Sequence, residues 1–173
     1  MIIVLLGYMG SGKSVIGKKL SEILHFDFVD LDHFIESKEN KSISEIFKIK
    51  GEIYFRNKES EYLQQLLKRN DDIVLALGGG TPCYSGNMLS ITKARNSRSI
   101  YLKASIGTLE DRLTKEKAKR PLLEHIQTKA ELTEFIGKHL FERIAFYDQA
   151  ELTVETNEKT VIEIVEKIIL KLL

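Results

Sequence analysis

The segment from Gly7 to Ser14 reads Gly-Tyr-Met-Gly-Ser-Gly-Lys-Ser and dictates much of what can surround it. It fits G-x-x-x-x-G-K-[ST], a loop whose backbone N–H groups close around phosphate oxygens. Such a loop works only when a buried strand delivers the chain and a helix carries it away. Both neighbours are legible. Ile2 to Leu6 is a continuous apolar run, as in a strand buried on both faces of a parallel sheet. Lys13 to Leu24 places apolar residues at Val15, Ile16, Leu20, Ile23 and Leu24, a helical period. The helix N-terminus adds about half a positive charge. Lys13 can reach the β- and γ-phosphates of a nucleoside triphosphate, and the Ser14 hydroxyl can ligate Mg²⁺.

The rest of the chain alternates strand and helix patterns. Phe28, Val29 and Leu31 suggest a second strand ending near Asp30 to Asp32. Ser42 and Glu45 fit a capping box before Ile46 and Phe47. A longer helix runs from about Ile53 to Leu67, and Ile73 to Leu77 is another buried strand, closed by Gly78, Gly79 and Gly80. Ile100 to Leu102 reads as a strand, with Thr108 and Asp111 capping a helix toward Thr114. Residues 115–128 show no periodicity. Leu132 to Tyr147 reads as a helix and Leu152 to Val154 as the last strand. Thr160 and Glu163 form a second capping box, with Ile162, Val165, Ile169 and Leu172 on one face of the final helix. Short strands separated by helices predict an α/β fold with a parallel sheet and its ligand sites at the carboxyl ends of the strands.

Composition narrows the function. Residues 1–173 are of a length for one domain. Lys plus Arg number 26 and Asp plus Glu 25, so the chain lacks the basic excess of a dedicated nucleic-acid binder. A single cysteine, Cys83, allows no intrachain disulfide and no cysteine-rich metal site, which suits a reducing, cytoplasmic setting. The Ile2 to Leu6 run is too short, and unflanked by basic residues, to read as a signal peptide. Glu163, Glu166, Lys167 and Lys171 interrupt the C-terminal apolar pattern, so no membrane span is expected.

The acceptor of a phosphoryl group must be sought elsewhere. Asp30 and Asp32, two apart, share a face if the strand continues through them, and could hold Mg²⁺ or deprotonate a hydroxyl. They equally fit helix N-caps. Arg56 and Glu59 are three apart on a helix and could be an ordinary surface pair, yet Arg56 beside Phe55 is also a good carboxylate binder. Gly78 to Gly80 could be a flexible loop, or could let backbone approach a small ligand. Arg120 ends the basic segment Lys115 to Pro121, which reads either as a solvated charge run or as a lid whose arginine meets the transferring group. Arg143 and Tyr147, four apart, fit one face of their helix, as an amphipathic surface would also require.

Taken in order, GYMGSGKS, FVDLD, SISEIF with GEIYFRNKE, LALGGG, KRPLL, ERIAFY and the pair Thr156-Asn157 resemble the shikimate kinase family over nearly the whole chain. The phosphate loop is shared by many kinases; the other segments at these spacings are far more specific. The resemblance implies a nucleoside-monophosphate-kinase-like fold: three α/β/α layers, a five-stranded parallel sheet, an acceptor-binding region about 32–60 and a mobile lid about 112–128. It implies transfer of the γ-phosphoryl of ATP to the 3-hydroxyl of shikimate, in aromatic amino acid biosynthesis, with Mg²⁺ held by Ser14 and Asp32. ATP would lie against Met9, Gly10, Ser11, Gly12, Lys13, Ser14 and Val15, with Arg112, Arg120 and Asn157. Shikimate would meet Asp32, Arg56, Gly78, Gly79, Gly80 and Arg143, with Glu59 buttressing Arg56 and with Ile43, Phe47 and Phe55 as apolar walls. Lys13, Asp32 and Arg120 would be catalytic. The chain departs from the family pattern at Glu158, where a basic residue is common, and by one residue between Arg112 and Arg120. A monomer is expected. A gluconate-type or other metabolite kinase shares the loop without FR-x-x-E, GGG and RPLL together. A non-catalytic nucleotide-binding module would have no use for Asp32, Arg120 and Arg143. Cys83 reads as a packed residue and the four histidines lack metal spacing.

Overall fold

The computed structural model describes residues 1–116, 123 and 125–172. Its strands are β1 (Ile2–Leu6), β2 (Asp27–Asp30), β3 (Ile73–Ala76), β4 (Ser97–Lys103) and β5 (Leu152–Glu155). All pair in parallel, in the order β2-β3-β1-β4-β5. Leu5 of β1 lies opposite Ala76 on one side and Ile100 on the other. The helices are α1 (Lys13–Leu24), α2 (Leu31–Glu39), α3 (Ile43–Lys50), α4 (Glu52–Leu67), α5 (Asn87–Lys93), α6 (Ile106–Glu116), α7 (Lys129–Tyr147) and α8 (Val161–Leu172).

Period-two alternation sorts the buried strand residues onto two faces. Ile3, Leu5, Val74, Ile100, Leu102 and Val154 meet Ile16 and Leu20 of α1 and Ile164, Val165 and Ile168 of α8. Ile2, Val4, Leu6, Ile73, Leu75 and Tyr101 meet Leu63 and Leu66 of α4, Met88 and Ile91 of α5, Leu109 and Leu113 of α6, and Leu132 and Ile136 of α7. The result is the predicted α/β/α layering. Each fully buried Leu or Ile contributes roughly 1.5–3 kcal/mol. The chain leaves β1 toward β2 and leaves β3 toward β4 on the far side of β1, so direction reverses between adjacent strands. Such a switch point opens a crevice beyond the strand ends.

Several elements differ from the sequence reading for local reasons. The strand over Phe28 and Val29 stops at Asp30, whose carboxylate accepts from the Asp32 N–H at 3.1 Å. Asp30 is thus the N-cap of α2 and Asp32 lies in its first turn, so the two do not share a strand face. Helix α6 begins before Thr108, because the Ser105 hydroxyl caps it by accepting the Thr108 N–H at 3.2 Å. Helix α7 starts three residues earlier than its apolar period, at a Thr128–Glu131 capping box. Helix α5 has too few apolar residues for a period to show. On α8, Ile162 is 50% exposed and Ile164 and Ile168 take the buried stripe. The capping boxes at Ser42–Glu45 and Thr160–Glu163 form as expected. Among the described residues, no helix is long and apolar enough to cross a membrane.

Candidate active site

Gly10 and Gly12 adopt φ of 79° and 98°, a left-handed backbone that glycine enters without steric cost. The loop turns tightly enough for the Ser11 N–H to reach the Tyr8 carbonyl at 3.1 Å before α1 begins. Lys13 Nζ donates to the Gly7 and Tyr8 carbonyls at 2.8 and 3.0 Å. A cavity of about 410 Å³ lies against Met9, Gly10, Ser11, Gly12, Lys13, Ser14 and Val15, with Asp30, Asp32, Gly78, Gly79, Arg112 and Lys159 also on its walls. The Ser14 hydroxyl donates to Asp30 Oδ2 at 2.9 Å. Ser14, Asp30 and Asp32 therefore offer hard oxygen donors to one space, the donor set Mg²⁺ prefers. Among the described residues no three His, Cys, Asp or Glu side chains form a metal cage.

The three glycines after β3 are a packing device. None has a positive φ. A Cβ on Gly78 would lie 2.9 Å from Asp32 Oδ1 and 3.0 Å from Thr81 Oγ1. One on Gly80 would lie 3.2 Å from Arg56 Nη2, and one on Gly79 would lie 3.4 Å from the Met9 N and 3.7 Å from Arg143 Nη1. The turn thus brings the phosphate loop, Asp32, Arg56 and Arg143 around one backbone segment. It is also held: Thr81 N–H donates to Gly78 O at 3.1 Å, Cys83 N–H to Gly80 O at 2.9 Å, and the Tyr147 hydroxyl to Gly79 O at 2.6 Å. A flexible loop does not describe it.

Arg56, half-buried, pairs with the buried Glu59, Nη1 donating to Glu59 Oε2 at 2.9 Å and Glu59 only 1% exposed. The other Glu59 oxygen accepts from Thr81 Oγ1 at 2.6 Å. Phe47 and Phe55 pack with ring centres 4.7 Å apart, Phe47 remaining 37% exposed, and Ile43 packs against the core cluster that includes Phe55. The Arg143 guanidinium lies 5.6 Å from the centre of the Tyr8 ring. Burial pushes the Tyr8 hydroxyl up to about 12 against the pull of Arg143. Burial likewise pushes the Asp32 carboxyl from 3.8 up to about 6. Asp30, Glu59 and Glu36 add like charge, and Lys13 opposes them. A carboxyl so poised can take a proton from a hydroxyl near neutral pH.

Arg112 ties the phosphate loop to the end of β5. Its Nη1 donates to Gly10 O at 3.1 Å and its Nη2 to Thr156 O at 2.8 Å. Asn157 turns its amide oxygen to the Ser105 N–H at 2.8 Å and does not line the cavity. Glu158 has a left-handed φ of 51°, and the next residue, Lys159, is the one on the cavity wall. Arg120 and its neighbours 117–122 lie outside the described residues. Sequence reasoning missed Thr81, Tyr84 and Lys159. The last could have been sought as the nearest lysine to Thr156-Asn157; the other two carried no motif.

The chain is similar to known proteins over nearly its whole length. The shikimate kinase family model matches residues 9–173. A shikimate kinase of Flavobacterium johnsoniae is 47% identical over 167 residues, covering 96% of both chains. The crystal structure of shikimate kinase from Bacteroides thetaiotaomicron superposes with a TM-score of 0.91 at 32% identity, covering 99% of this chain and 98% of that one. A shikimate kinase from Acinetobacter baumannii in complex with shikimate gives a TM-score of 0.84 at 31% identity, covering 99% and 92%.

Proposed function

The chain belongs to the shikimate kinase family, and from that premise we propose how its own residues transfer the γ-phosphoryl of ATP to the 3-hydroxyl of shikimate. The products are shikimate 3-phosphate and ADP, on the route to aromatic amino acids. The observation that carries the residue roles is the glycine turn, where the absence of three Cβ atoms admits Asp32, Arg56 and Arg143 to one side of the phosphate loop.

Met9 to Val15 bind the triphosphate, the loop N–H groups and the N-terminus of α1 facing its oxygens. Arg56 and Arg143 hold the shikimate carboxylate, Glu59 keeps Arg56 in place, and Gly78, Gly79 and Gly80 present backbone to the ring. Ile43, Phe47 and Phe55 wall the pocket. Asp32 orients the 3-hydroxyl and accepts its proton. The hydroxyl oxygen bonds to the γ-phosphorus as the bond from that phosphorus to the β,γ-bridging oxygen breaks, and ADP leaves with the electron pair. The transition state is loose, so positioning outweighs deprotonation. Lys13 and Arg120 neutralise charge on the moving group; Arg112 and the loop at Asn157 border the nucleotide. Ser14 and Asp32, with Asp30 beside them, would hold Mg²⁺, which would supply charge neutralisation to the triphosphate.

The chain works as one domain, 1–173, with an acceptor region about 32–60 and a lid about 112–128. It acts as a cytoplasmic monomer; the lone thiol of Cys83 supports the reducing compartment. Incubation with MgATP and shikimate, gluconate or no acceptor, with ADP measured, tests the reading. Shikimate alone should drive release; release indifferent to shikimate would overturn it.

A further inference from the structure

Tyr84 follows the short 3₁₀ turn Thr81–Cys83 and leaves 39% of its surface exposed beside the acceptor site. The Arg56 guanidinium carbon lies over its ring, 4.0 Å from the centre. Phe55, the aromatic next to Arg56 in sequence, is farther, at 5.2 Å. We propose that Tyr84 is a positioning residue: its ring fixes the plane of the Arg56 fork so that the fork meets the acceptor's carboxylate in two contacts. The proposal rests on the reading of Arg56 as carboxylate ligand.

The argument begins with what Glu59 leaves undone. Arg56 carries five N–H donors, and Glu59 takes one of them at 2.9 Å. Arg56 Nε is buried and makes no hydrogen bond among the described residues; the exposed Glu52 carboxylate stands 3.5 Å off. One hydrogen bond holds an edge of a planar group but permits it to swing about that bond. A bidentate contact tolerates little swing, because both N–H vectors must point at the two oxygens. Tyr84 blocks that motion from one face, and attraction between cation and ring holds it there. Gly80 bounds the fork too, since a Cβ there would sit 3.2 Å from Nη2. Donors at the remaining edges stay available.

The backbone that carries the ring is anchored. The Tyr84 carbonyl accepts from the Asn87 N–H at 2.9 Å, and the buried Asn87 side chain donates to Thr81 O at 2.9 Å. A floppy aromatic could not pre-organise its neighbour; this one sits between two fixed turns.

The test is steady-state kinetics on Tyr84→Ala, Tyr84→Leu and Tyr84→Phe, with thermal unfolding of each. A cation–ring contact of this kind is worth a factor of about 3 to 30 in binding. Tyr84→Ala should raise the shikimate KM roughly tenfold, leaving kcat and the ATP KM within about twofold. Tyr84→Phe keeps the ring and should restore the wild-type KM. Tyr84→Leu fills the space without a ring and should behave like Ala. An unchanged shikimate KM in Tyr84→Ala, or wild-type behaviour of Tyr84→Leu, overturns the proposal, the second by reducing the ring to packing. Arg56→Ala separates the layers. If it too leaves the shikimate KM unchanged, the carboxylate reading falls and takes this proposal with it. If it raises KM while Tyr84→Ala does not, only the role of Tyr84 falls.

Discussion

Replacing Asp32 by Asn should make the protein more stable and far less active, and both effects have one origin. Burial and the carboxylates of Asp30 and Glu59 raise the Asp32 pKa from 3.8 to about 6. At 1.36 kcal/mol per pKa unit, that sets roughly 3 kcal/mol against its ionised form in the folded chain. The folded pKa lies above the unfolded one, so the folded state holds the extra proton, and stability declines as pH rises through the window from about 4 to 6. Below about pH 4 the group is neutral in both states and the penalty is gone. Asn has the same shape and no charge, so it escapes the penalty. It also forgoes the attraction of a carboxylate for the N-terminus of α2, worth about 0.3–1 kcal/mol. The net gain should be about 2 kcal/mol at neutral pH.

Urea unfolding of both proteins from about pH 4 to pH 8 reads this directly. The stability difference should be near zero at the acid end, grow through the window and level off near 2 kcal/mol by about pH 7.5. Turnover of the same variant at saturating substrates should fall by about 10² or more, the combined worth of orienting the hydroxyl and taking its proton, while ATP affinity holds. A difference that is flat with pH refutes the burial argument. Near-normal turnover refutes the catalytic role, even if the stability curve behaves.

Two further changes probe the same edge of the sheet. Gly78→Ala introduces a Cβ 2.9 Å from Asp32 Oδ1, so it should displace that carboxylate and lower kcat at least tenfold; a chain that still unfolds near its normal midpoint and turns over normally contradicts the packing role. Arg112→Ala cuts the links from α6 to Gly10 O and Thr156 O. It should raise the ATP KM roughly tenfold and leave the shikimate KM alone, as initial rates with each substrate varied would show.

What the sequence disclosed, and what it hid, divides along physical lines. The phosphate loop was legible because a single short segment carries the whole device, flanked by an unbroken apolar strand and a helix of amphipathic period. Strands β1 and β3 were legible because burial on both faces leaves an unbroken apolar run. Asp30 and Asp32 were harder. Their two-residue spacing suits a strand face, but Asp30 ends the strand by accepting the Asp32 N–H, and a cap outcompetes continued pairing at an edge. Short α5 offered no period to read. Thr81 and Tyr84 escaped notice because their importance lies in contacts with residues more than twenty positions away, to Glu59 and Arg56. Lys159 escaped because one left-handed residue, Glu158, shifts which side chain reaches the cavity.

The same edge shows stability and function pulling apart. Asp32 would be more comfortable protonated or absent. Glu59 is buried beside a half-buried Arg56, and a largely desolvated pair often contributes no more than well-packed apolar residues would. Three successive glycines raise the entropy lost on folding. Each feature is costly by itself, yet each is locked by a neighbour: Thr81 on Glu59, Tyr147 on Gly79, Asp30 on the first turn of α2. Breaking one lock should then harm activity more than global stability. Thr81→Val is the sharpest case, since it removes one donor from a buried carboxylate that keeps Arg56 as partner. Its unfolding free energy should drop by about 1–3 kcal/mol, a loss that the two apolar cores flanking the sheet can absorb. The shikimate KM should rise with it, because Glu59 then holds Arg56 less firmly. Equal KM values for the variant and the parent would show that the lock serves folding alone.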